Sequence, residues 1–405
     1  GKPITNENLW ALRFGNGAGS GSANTLFFTA GLVDAPATIF GSSAGLLGSL
    51  QALPSLNPRA SLLPNLQNGL LQTFSTVPTT GPDAGDQNPY GVAFVPSDFK
   101  GQGTLQPGDL LVSNFNGKAN IEGTGSTIVR ITPQGATSVF FQGAPGLGLT
   151  TALGVLKNGF VIVGTVPTHD GTAATIQPGS LLVLDANGKL VETLNGNLLD
   201  SPWDLTINDK GNTAQVFVSN VVSGTVTRIN LKVPTNGKPP MVQSETVIGS
   251  GFTSQPAAGV VILGPTGLAY DLKTDTLYVA STADNTIFAI KHAGTRTSNA
   301  GTGKDIFFGM PDPHLRGPLG LILAPNGDLI VANGDAVNPD TTGTQNSELL
   351  EFTRGGDFVG EFQVDTAAGA AFGIAASNDN GMLRFAAVDD NTNTVSRWTF
   401  DTAGH

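Results

Sequence analysis

The chain repeats one pattern of short strands along its length. An apolar entry strand, a turn and a second apolar strand ending in a small residue or Asn recur, as in NPYGVAF (88–94) with GDLLVSNF (108–115). The same pair reappears as GPTGLAY (264–270) with DTLYVAST (275–282). We find seven such units, spaced by roughly 50–60 residues. Units of this length with three or four strands each are typical of a β-propeller.

Composition supports an all-β fold. The 405 residues include 54 Gly and 25 Pro, and only 13% are charged. Gly and Pro suit short strands joined by tight turns, whereas surface helices need charged and long polar side chains. Because a closed ring of blades is one unit whatever its length, we expect residues 1–405 to form a single β-propeller domain.

Two irregularities interrupt the repeat. Residues 33–87 form a connection between the first and second units that is too long for two strands, and the last unit has no outer strand after residues 394–400. A strand from the other end of the chain normally closes such a ring, since an unpaired edge invites association. Residues 2–7 would give seven blades, which we favour. Residues 70–77 would give six blades and an N-terminal arm.

Parts of the sequence resemble known propellers. Over most of residues 88–400, the entry strands and the strands that follow them resemble NHL-type repeats. The segment NLWALRFGNGAGSGSANTLFFTAGL (8–32) resembles the closing blade of an uncharacterised family of secreted bacterial propellers associated with exosortase sorting signals. In that family the motif lies near the C-terminus. Its position here implies a permuted ring or a blade supplied across a subunit boundary.

Charge and composition limit the partners and the cellular location that we expect for this chain. The net charge of -11 argues against a nucleic-acid partner, whose phosphates require a basic surface. No apolar run reaches the roughly 18 residues that span a bilayer, so we expect no membrane span. Low charge, many Thr, Ser, Asn and Gly residues, and the absence of Cys indicate a secreted protein, extracellular or at the cell surface.

Propeller ligands usually bind where the inner strands meet at the central channel. Six residues near the predicted channel mouth are candidate ligand contacts: Asn88, Tyr90, Trp203, Asp204, His314 and Arg316. Propeller lactonases, which the fold superficially resembles, hold a divalent metal with Glu, Asn and Asp from different blades. In this chain Glu7, Asn88 and Asp204 are the groups that could hold such a metal. The simpler interpretation is that Trp203 and Tyr90 pack in the channel and that Asp204 caps a turn.

A second candidate metal site is the segment DDNTNT (389–394). Asp389, Asn391 and Asn393 alternate as the ligands of calcium loops often do. The Gly and the distal Glu of an EF-hand loop are missing, so an ordinary turn explains the segment equally well.

The sequence favours a non-enzymatic extracellular propeller with a structural or binding role. We predict no catalytic residues and no cofactor other than calcium. The alternative is a metal-dependent lactonase or lyase with its site in the channel. We also predict self-association, through the N-terminal segment and an open edge of the last blade, into an oligomer or polymer.

Overall fold

The regular structure in the described part of the chain consists of antiparallel β-sheets and two short 3-10 helices. The structure, a computed structural model, describes residues 9–14, 25–31, 45–51, 53–82 and 84–403. Its residue contacts divide it into two units, residues 1–54 and residues 55–405. None of the helices in these ranges is long and apolar enough to cross a bilayer.

The first unit is a three-stranded antiparallel sheet. Its strands are β1 (Leu9–Phe14), β2 (Thr25–Gly31) and β3 (Gly45–Gln51), paired in that order. The pairing of β1 with β2 contains a bulge between Leu9 and Ala11. Two of these strands correspond to the first unit of the sequence repeat.

The second unit begins with a segment that leads into the ring. This segment contains a 3-10 helix, Leu63–Asn68, followed by β4 (Leu70–Ser75). Glu351 anchors the start of the helix, because its carboxylate accepts hydrogen bonds from the backbone N–H groups of Leu62 (3.0 Å) and Leu63 (2.7 Å). Three leucines at or next to this helix are buried: Leu62, which precedes the helix, and Leu63 and Leu66 within it.

Each of the next three blades is a four-stranded meander. Blade 1 contains β5 (Gln87–Phe94), β6 (Leu110–Asn116), β7 (Thr127–Ile131) and β8 (Thr137–Gln142). Blade 2 contains β9 (Leu149–Leu156), β10 (Phe160–Thr165), β11 (Ser180–Asp185) and β12 (Leu190–Leu194), with a 3-10 helix at Ala173–Thr175. Blade 3 contains β13 (Pro202–Asp209), β14 (Thr213–Asn220), β15 (Thr225–Lys232) and β16 (Met241–Ser250).

A two-stranded hairpin separates blades 3 and 4. It consists of β17 (Gln255–Ala257) and β18 (Val260–Leu263) and lies outside the four-stranded repeat. Blade 4 contains β19 (Pro265–Asp271), β20 (Thr276–Ser281), β21 (Thr286–Lys291) and the short β22 (Lys304–Asp305). Blade 5 contains β23 (Pro318–Leu323), β24 (Leu329–Asn333), β25 (Glu348–Phe352) and β26 (Phe358–Gln363).

The last blade combines both ends of the second unit. Blade 6 contains β27 (Ala371–Asp379), β28 (Met382–Asp389) and β29 (Thr394–Asp401), and its outer strand is β4. The pairs Thr394↔Ser75 and Thr399↔Leu70 mark the limits of this closure. The β-propeller is therefore confirmed, with the six blades of the alternative prediction, and residues 70–75 close it. The favoured count of seven blades, closed by residues 2–7, is wrong, because β4 takes the outer place of the last blade. The expectation that the last blade keeps an open edge is corrected, because the same chain fills that position.

The repeated turns and Asn residues have structural roles. Gly159 and Gly327 take φ values of 102° and 94° in the predicted turns between first and second strands, where glycine is favoured. Asn114, at the end of a second strand, is fully buried, and its amide donates to the Thr76 carbonyl at 2.9 Å. Asn333 does the same toward the His314 carbonyl, also at 2.9 Å. These amides satisfy backbone groups of the loops between blades.

Glycine allows the inner strands of neighbouring blades to approach closely. A Cβ on Gly373 would lie 1.8 Å from the Tyr90 carbonyl oxygen, and one on Gly267 would lie 2.1 Å from that of Leu319. No side chain fits at these distances. Asp204 occupies the corresponding place in the blade 3 entry strand, where blades 1, 4, 5 and 6 have Gly.

Candidate binding site at the channel mouth

A cavity of about 1180 Å³ lies beside the start of the blade 1 inner strand. Gln87 and Asn88, at the beginning of β5, form part of its lining. The rest comes from connections that the strand repeat does not define, namely the β6–β7 loop, the β10–β11 loop, the β17–β18 hairpin and the β28–β29 turn. The cavity is therefore shaped by loops on a rigid set of strands, as is common for binding sites.

Two carboxylates from different blades line this cavity. Glu122 belongs to the β6–β7 loop of blade 1, and Asp390 begins the β28–β29 turn of blade 6. The Glu122 side chain accepts a hydrogen bond from the backbone N–H of Val261 in the hairpin. The Thr168 hydroxyl of blade 2 donates to the Glu122 carbonyl oxygen. Three blade connections thus converge on Glu122.

Asn88 links the two neighbouring blades at the cavity. Its backbone is in the left-handed region, with φ of 62°, and its N–H donates to Asn393 Oδ1 at 2.7 Å. In the amide orientation that satisfies both neighbours, Asn88 Nδ2 donates to Asp390 Oδ1 at 2.6 Å, while Asn88 Oδ1 accepts from Asn116 Nδ2 at 2.9 Å. Asn is one of the few residues other than Gly that adopt this conformation readily, and hydrogen bonds on both sides hold it here.

The two carboxylates titrate near neutrality. Burial raises the pKa of Glu122 to about 7, partly offset by the hydrogen bond from Val261. Burial also raises the pKa of Asp390 to about 7, and the negative charge of Glu122 adds to the increase. Among the described residues that line the cavity there is no Lys, Arg or His. Within this lining the pair of carboxylates therefore has no basic partner.

Oxygen atoms are the available metal donors here. In the described ranges no three His, Asp or Glu side chains come together as a metal site. Glu122 and Asp390 would need amide oxygens, such as that of Asn116, to complete a coordination shell. Carboxylate and amide oxygens are the ligands that Ca²⁺ takes in proteins, so the donor set fits a hard divalent cation.

Aromatic side chains fill the channel next to the cavity. Tyr90 stacks on Phe115 and Phe372, with ring centroids 4.5 and 4.3 Å apart, and Trp203 lies 5.5 Å from Phe115. All four rings are buried. Burial raises the pKa of Tyr90 well above its usual value. Tyr90 and Trp203 thus pack in the channel, as the simpler interpretation of the sequence expected, and neither lines the cavity.

Asp204 belongs to a different part of the channel. It lines a second cavity of about 210 Å³ together with later residues of the inner strands, such as Val92 and Ile374. Its Oδ1 accepts from the Leu205 N–H at 2.7 Å, and its Oδ2 from the Leu268 N–H at 3.1 Å. Burial raises its pKa well above the usual value. The structure therefore separates Asp204 from Asn88, which the sequence analysis had placed in one site.

His314 and Arg316, in the loop before blade 5, lie outside the large cavity. His314 Nδ1 is 2.9 Å from Asp312 Oδ1, and its ring stacks on Phe358 at 3.8 Å. Arg316 is buried and donates to the Asn338 carbonyl and to Gln345 Oε1. Neither residue lines the cavity.

The segment 389–394 is the turn between β28 and β29. Asp389 Oδ1 accepts from the Thr392 N–H at 3.1 Å and closes this turn. Asn391 and Asn393 line the cavity, and Asn391 Nδ2 donates toward Asp365 Oδ2 at 3.2 Å. The carboxylate of the segment that reaches the cavity is Asp390. Of the other predicted groups, Asn88 lines the cavity and Glu7 lies outside the described residues.

Glu122, Asp390 and Asn116 were missed by the sequence analysis. Each lies in or next to a connection between strands, and no motif surrounds them. The available signal was weak. Glu122 and Asp390 are acids in a chain with few charged residues, and both occupy loops on one side of the repeat.

Comparison with known proteins gives fold relatives but no family. No protein-family model matches the chain, and no curated protein does so either. A gluconolactonase from Xanthomonas campestris is 15% identical, with a TM-score of 0.47, over 82% of this chain and 90% of its own. A calcium-binding protein, regucalcin, from Agrobacterium tumefaciens is 12% identical, with a TM-score of 0.45, over 82% of this chain and 97% of its own.

A third solved structure, a nidogen/laminin complex, contains a chain that is 11% identical, with a TM-score of 0.43, over 72% of this chain and 92% of its own. At these identities the likeness concerns the fold alone, which the strand pairing already establishes. The resemblance of residues 8–32 to the exosortase-associated family stays a prediction.

Proposed function

We propose that the protein is a non-enzymatic binding propeller that acts outside the cell and holds a calcium ion at the channel mouth. The observation that carries the proposal is the pair Glu122 and Asp390, which line one cavity with no basic residue among its described lining. Keeping both carboxylates charged at these half-buried positions is unfavourable unless a cation compensates them. A divalent cation supplies that compensation and uses the surrounding amide oxygens as further ligands.

Calcium fits this donor set better than magnesium. Ca²⁺ accepts six to eight oxygens in flexible geometry, whereas Mg²⁺ requires a compact octahedron and gives up water reluctantly. The donors come from separate connections of blades 1 and 6, an arrangement suited to irregular coordination. The extracellular setting is supported by the low content of charged residues and the many Thr, Ser, Asn and Gly residues.

Calorimetric titration of chelator-treated protein with calcium tests the proposal. We expect one binding site, weakened at least about tenfold by Glu122→Gln or Asp390→Asn, a cost of about 1.4 kcal/mol. Glu192→Gln removes an exposed carboxylate of blade 2 and is the matched control. Calcium binding that is absent, or that survives both site substitutions unchanged, overturns the proposal.

A metal-dependent lactonase is the second candidate. The size of the cavity favours it, since about 1180 Å³ leaves space for an organic substrate beside the cation. Such an enzyme would use Glu122, Asp390 and Asn88, with Asp204 outside the site. Turnover of a panel of lactones and esters, dependent on calcium and lost in Asp390→Asn, would replace the binding role with this one.

A further inference from the structure

Several amide atoms at the cavity have no hydrogen-bond partner among the described residues. Within these ranges, no protein group is hydrogen-bonded to Asn120 Nδ2 or Asn393 Nδ2, although the oxygen of each accepts a hydrogen bond at 2.9 and 2.7 Å. In Asn391 the nitrogen donates toward Asp365, and it is the oxygen that accepts no hydrogen bond from a described residue. The wall that holds the carboxylates therefore offers both donors and acceptors. Hydroxyl groups match such a wall, since each hydroxyl donates and accepts.

Charge limits the ligand further. The charged side chains among the described lining residues are Glu122, Asp390 and Asp170, all acidic. Once a calcium ion compensates the first two, no basic group of the described lining remains to pair with an anion. An anionic ligand would meet the negative charge of Asp170 and the acidic surroundings, so a neutral ligand is favoured.

Another part of the cavity wall is apolar and built from small residues. Ala257, Ala258 and Gly259 form the tip of the β17–β18 hairpin and line the cavity. No atom lies within 4 Å of the place where a Cβ on Gly259 would be. The base of the hairpin is fixed, because Val261 is buried against the channel aromatics and its N–H bonds to Glu122. A flat hydrocarbon face can therefore rest on this wall.

We infer that the cavity binds a neutral saccharide, with its hydroxyl groups on the calcium ion and the Asn wall and its C–H face on the hairpin tip. The inference rests on the proposed calcium site and adds the class of organic ligand. Ca²⁺ held by few protein groups keeps coordination positions that water or ligand hydroxyls fill. The amides and small residues then determine which ligand replaces the water.

Titration of the full chain with neutral sugars, with and without calcium, tests the inference. The probes are glucose, galactose, mannose, maltose and cellobiose, with glucuronic acid as the charged counterpart of glucose. We expect calcium-dependent binding of at least one neutral sugar with a Kd below about 10 mM, and binding of glucuronic acid weaker than that of glucose by about tenfold.

Two substitutions separate this inference from the calcium site. Ala258→Trp fills the cavity from an exposed hairpin tip, so it should weaken sugar binding at least about tenfold and leave calcium binding unchanged. Ala136→Trp, in the exposed β7–β8 turn, should change neither. Calcium binding without any sugar binding overturns this inference alone, as does an Ala258→Trp protein that binds sugar normally. Loss of calcium binding in the unsubstituted protein overturns the proposed function as well.

Discussion

The Asp204 carboxylate accepts a hydrogen bond from the backbone N–H of Leu268 at 3.1 Å. It thereby joins the inner strand of blade 3 to that of blade 4 at a place where four of the other blades have Gly. The contact is buried, and burial raises the pKa of Asp204 well above its usual value. Asp204 therefore contributes to the propeller itself and to the pH dependence of its stability.

We predict that Asp204→Asn changes how stability depends on pH. Between the unfolded pKa, about 4, and the raised folded pKa, the native state binds more protons than the unfolded state, so the free energy of unfolding falls as pH rises. The amide of the variant cannot titrate. The stability advantage of the unsubstituted protein over the variant should therefore be largest below about pH 4 and shrink as the pH rises toward the folded pKa. Urea unfolding at several pH values measures this difference, and a constant difference contradicts the prediction.

Calcium affinity should fall on acidification. Glu122 and Asp390 both have a pKa of about 7 in the cation-free protein. Below that pH, protons compete with the cation for the same oxygens. We expect affinity to drop by about thirtyfold from pH 7 to pH 6, about fivefold for each carboxylate, with protons released on binding at pH 7. Calorimetry in buffers of different ionisation enthalpy measures this release, and an affinity independent of pH argues against these two ligands.

Because the inner strands of neighbouring blades approach closely, we predict that a methyl group added at one of their Gly residues strongly destabilises the protein. Gly373→Ala should lower the free energy of unfolding by about 3 kcal/mol, because the added Cβ would overlap the Tyr90 carbonyl oxygen and force the strands apart. Gly355→Ala is the control, since the nearest neighbouring atom would lie 3.6 Å from the new Cβ. We expect that substitution to change stability by less than about 1 kcal/mol. Equal effects in chemical unfolding would contradict this explanation.

Arg397 links the closing strand β4 to blade 1. Its buried guanidinium donates to Gln72 Oε1 at 2.6 Å and to the carbonyls of Thr132 and Pro133 at 3.2 and 2.8 Å, joining β29, β4 and blade 1. Arg397→Ala should lower the free energy of unfolding by about 3 kcal/mol, since the buried side chain is lost and the Thr132 and Pro133 carbonyls, on half-buried residues, lose their donor. Arg59→Ala, on the exposed surface, should have little effect. An Arg397→Lys protein of full stability would show that charge alone is sufficient.

Self-association stays a prediction, but the last blade no longer supports it. The outer place in blade 6 is filled by β4, so the hypothesis now rests on β1–β3, whose sequences carry one charged residue, Arg13. Packing of these apolar strands against a second copy of the chain would remove their hydrophobic side chains from water. We expect light scattering to find oligomers of the full chain and monomers of residues 55–405. A full chain that stays monomeric at micromolar concentration ends the hypothesis.

Local sequence determined the strands, the turns and the fold class. Apolar runs such as 329–333 have no competing helical pattern, and the turn Gly residues require positive φ, so each blade can be read from its own residues. The Asn residues that end the second strands were visible for the same reason. Among the site residues, Asn88 was found because it begins an inner strand of the repeat.

Tertiary structure decided the number of blades and the composition of the site. Residues 2–7 and 70–77 were both able to close the ring, and the pairing of β4 with β29, more than 300 positions apart in the chain, depends on contacts that no local pattern encodes. Glu122 and Asp390 lie on loops of blades 1 and 6 that become neighbours only when the ring closes. Their raised pKa values and their common cavity follow from burial, which is a property of the assembled propeller and not of either segment alone.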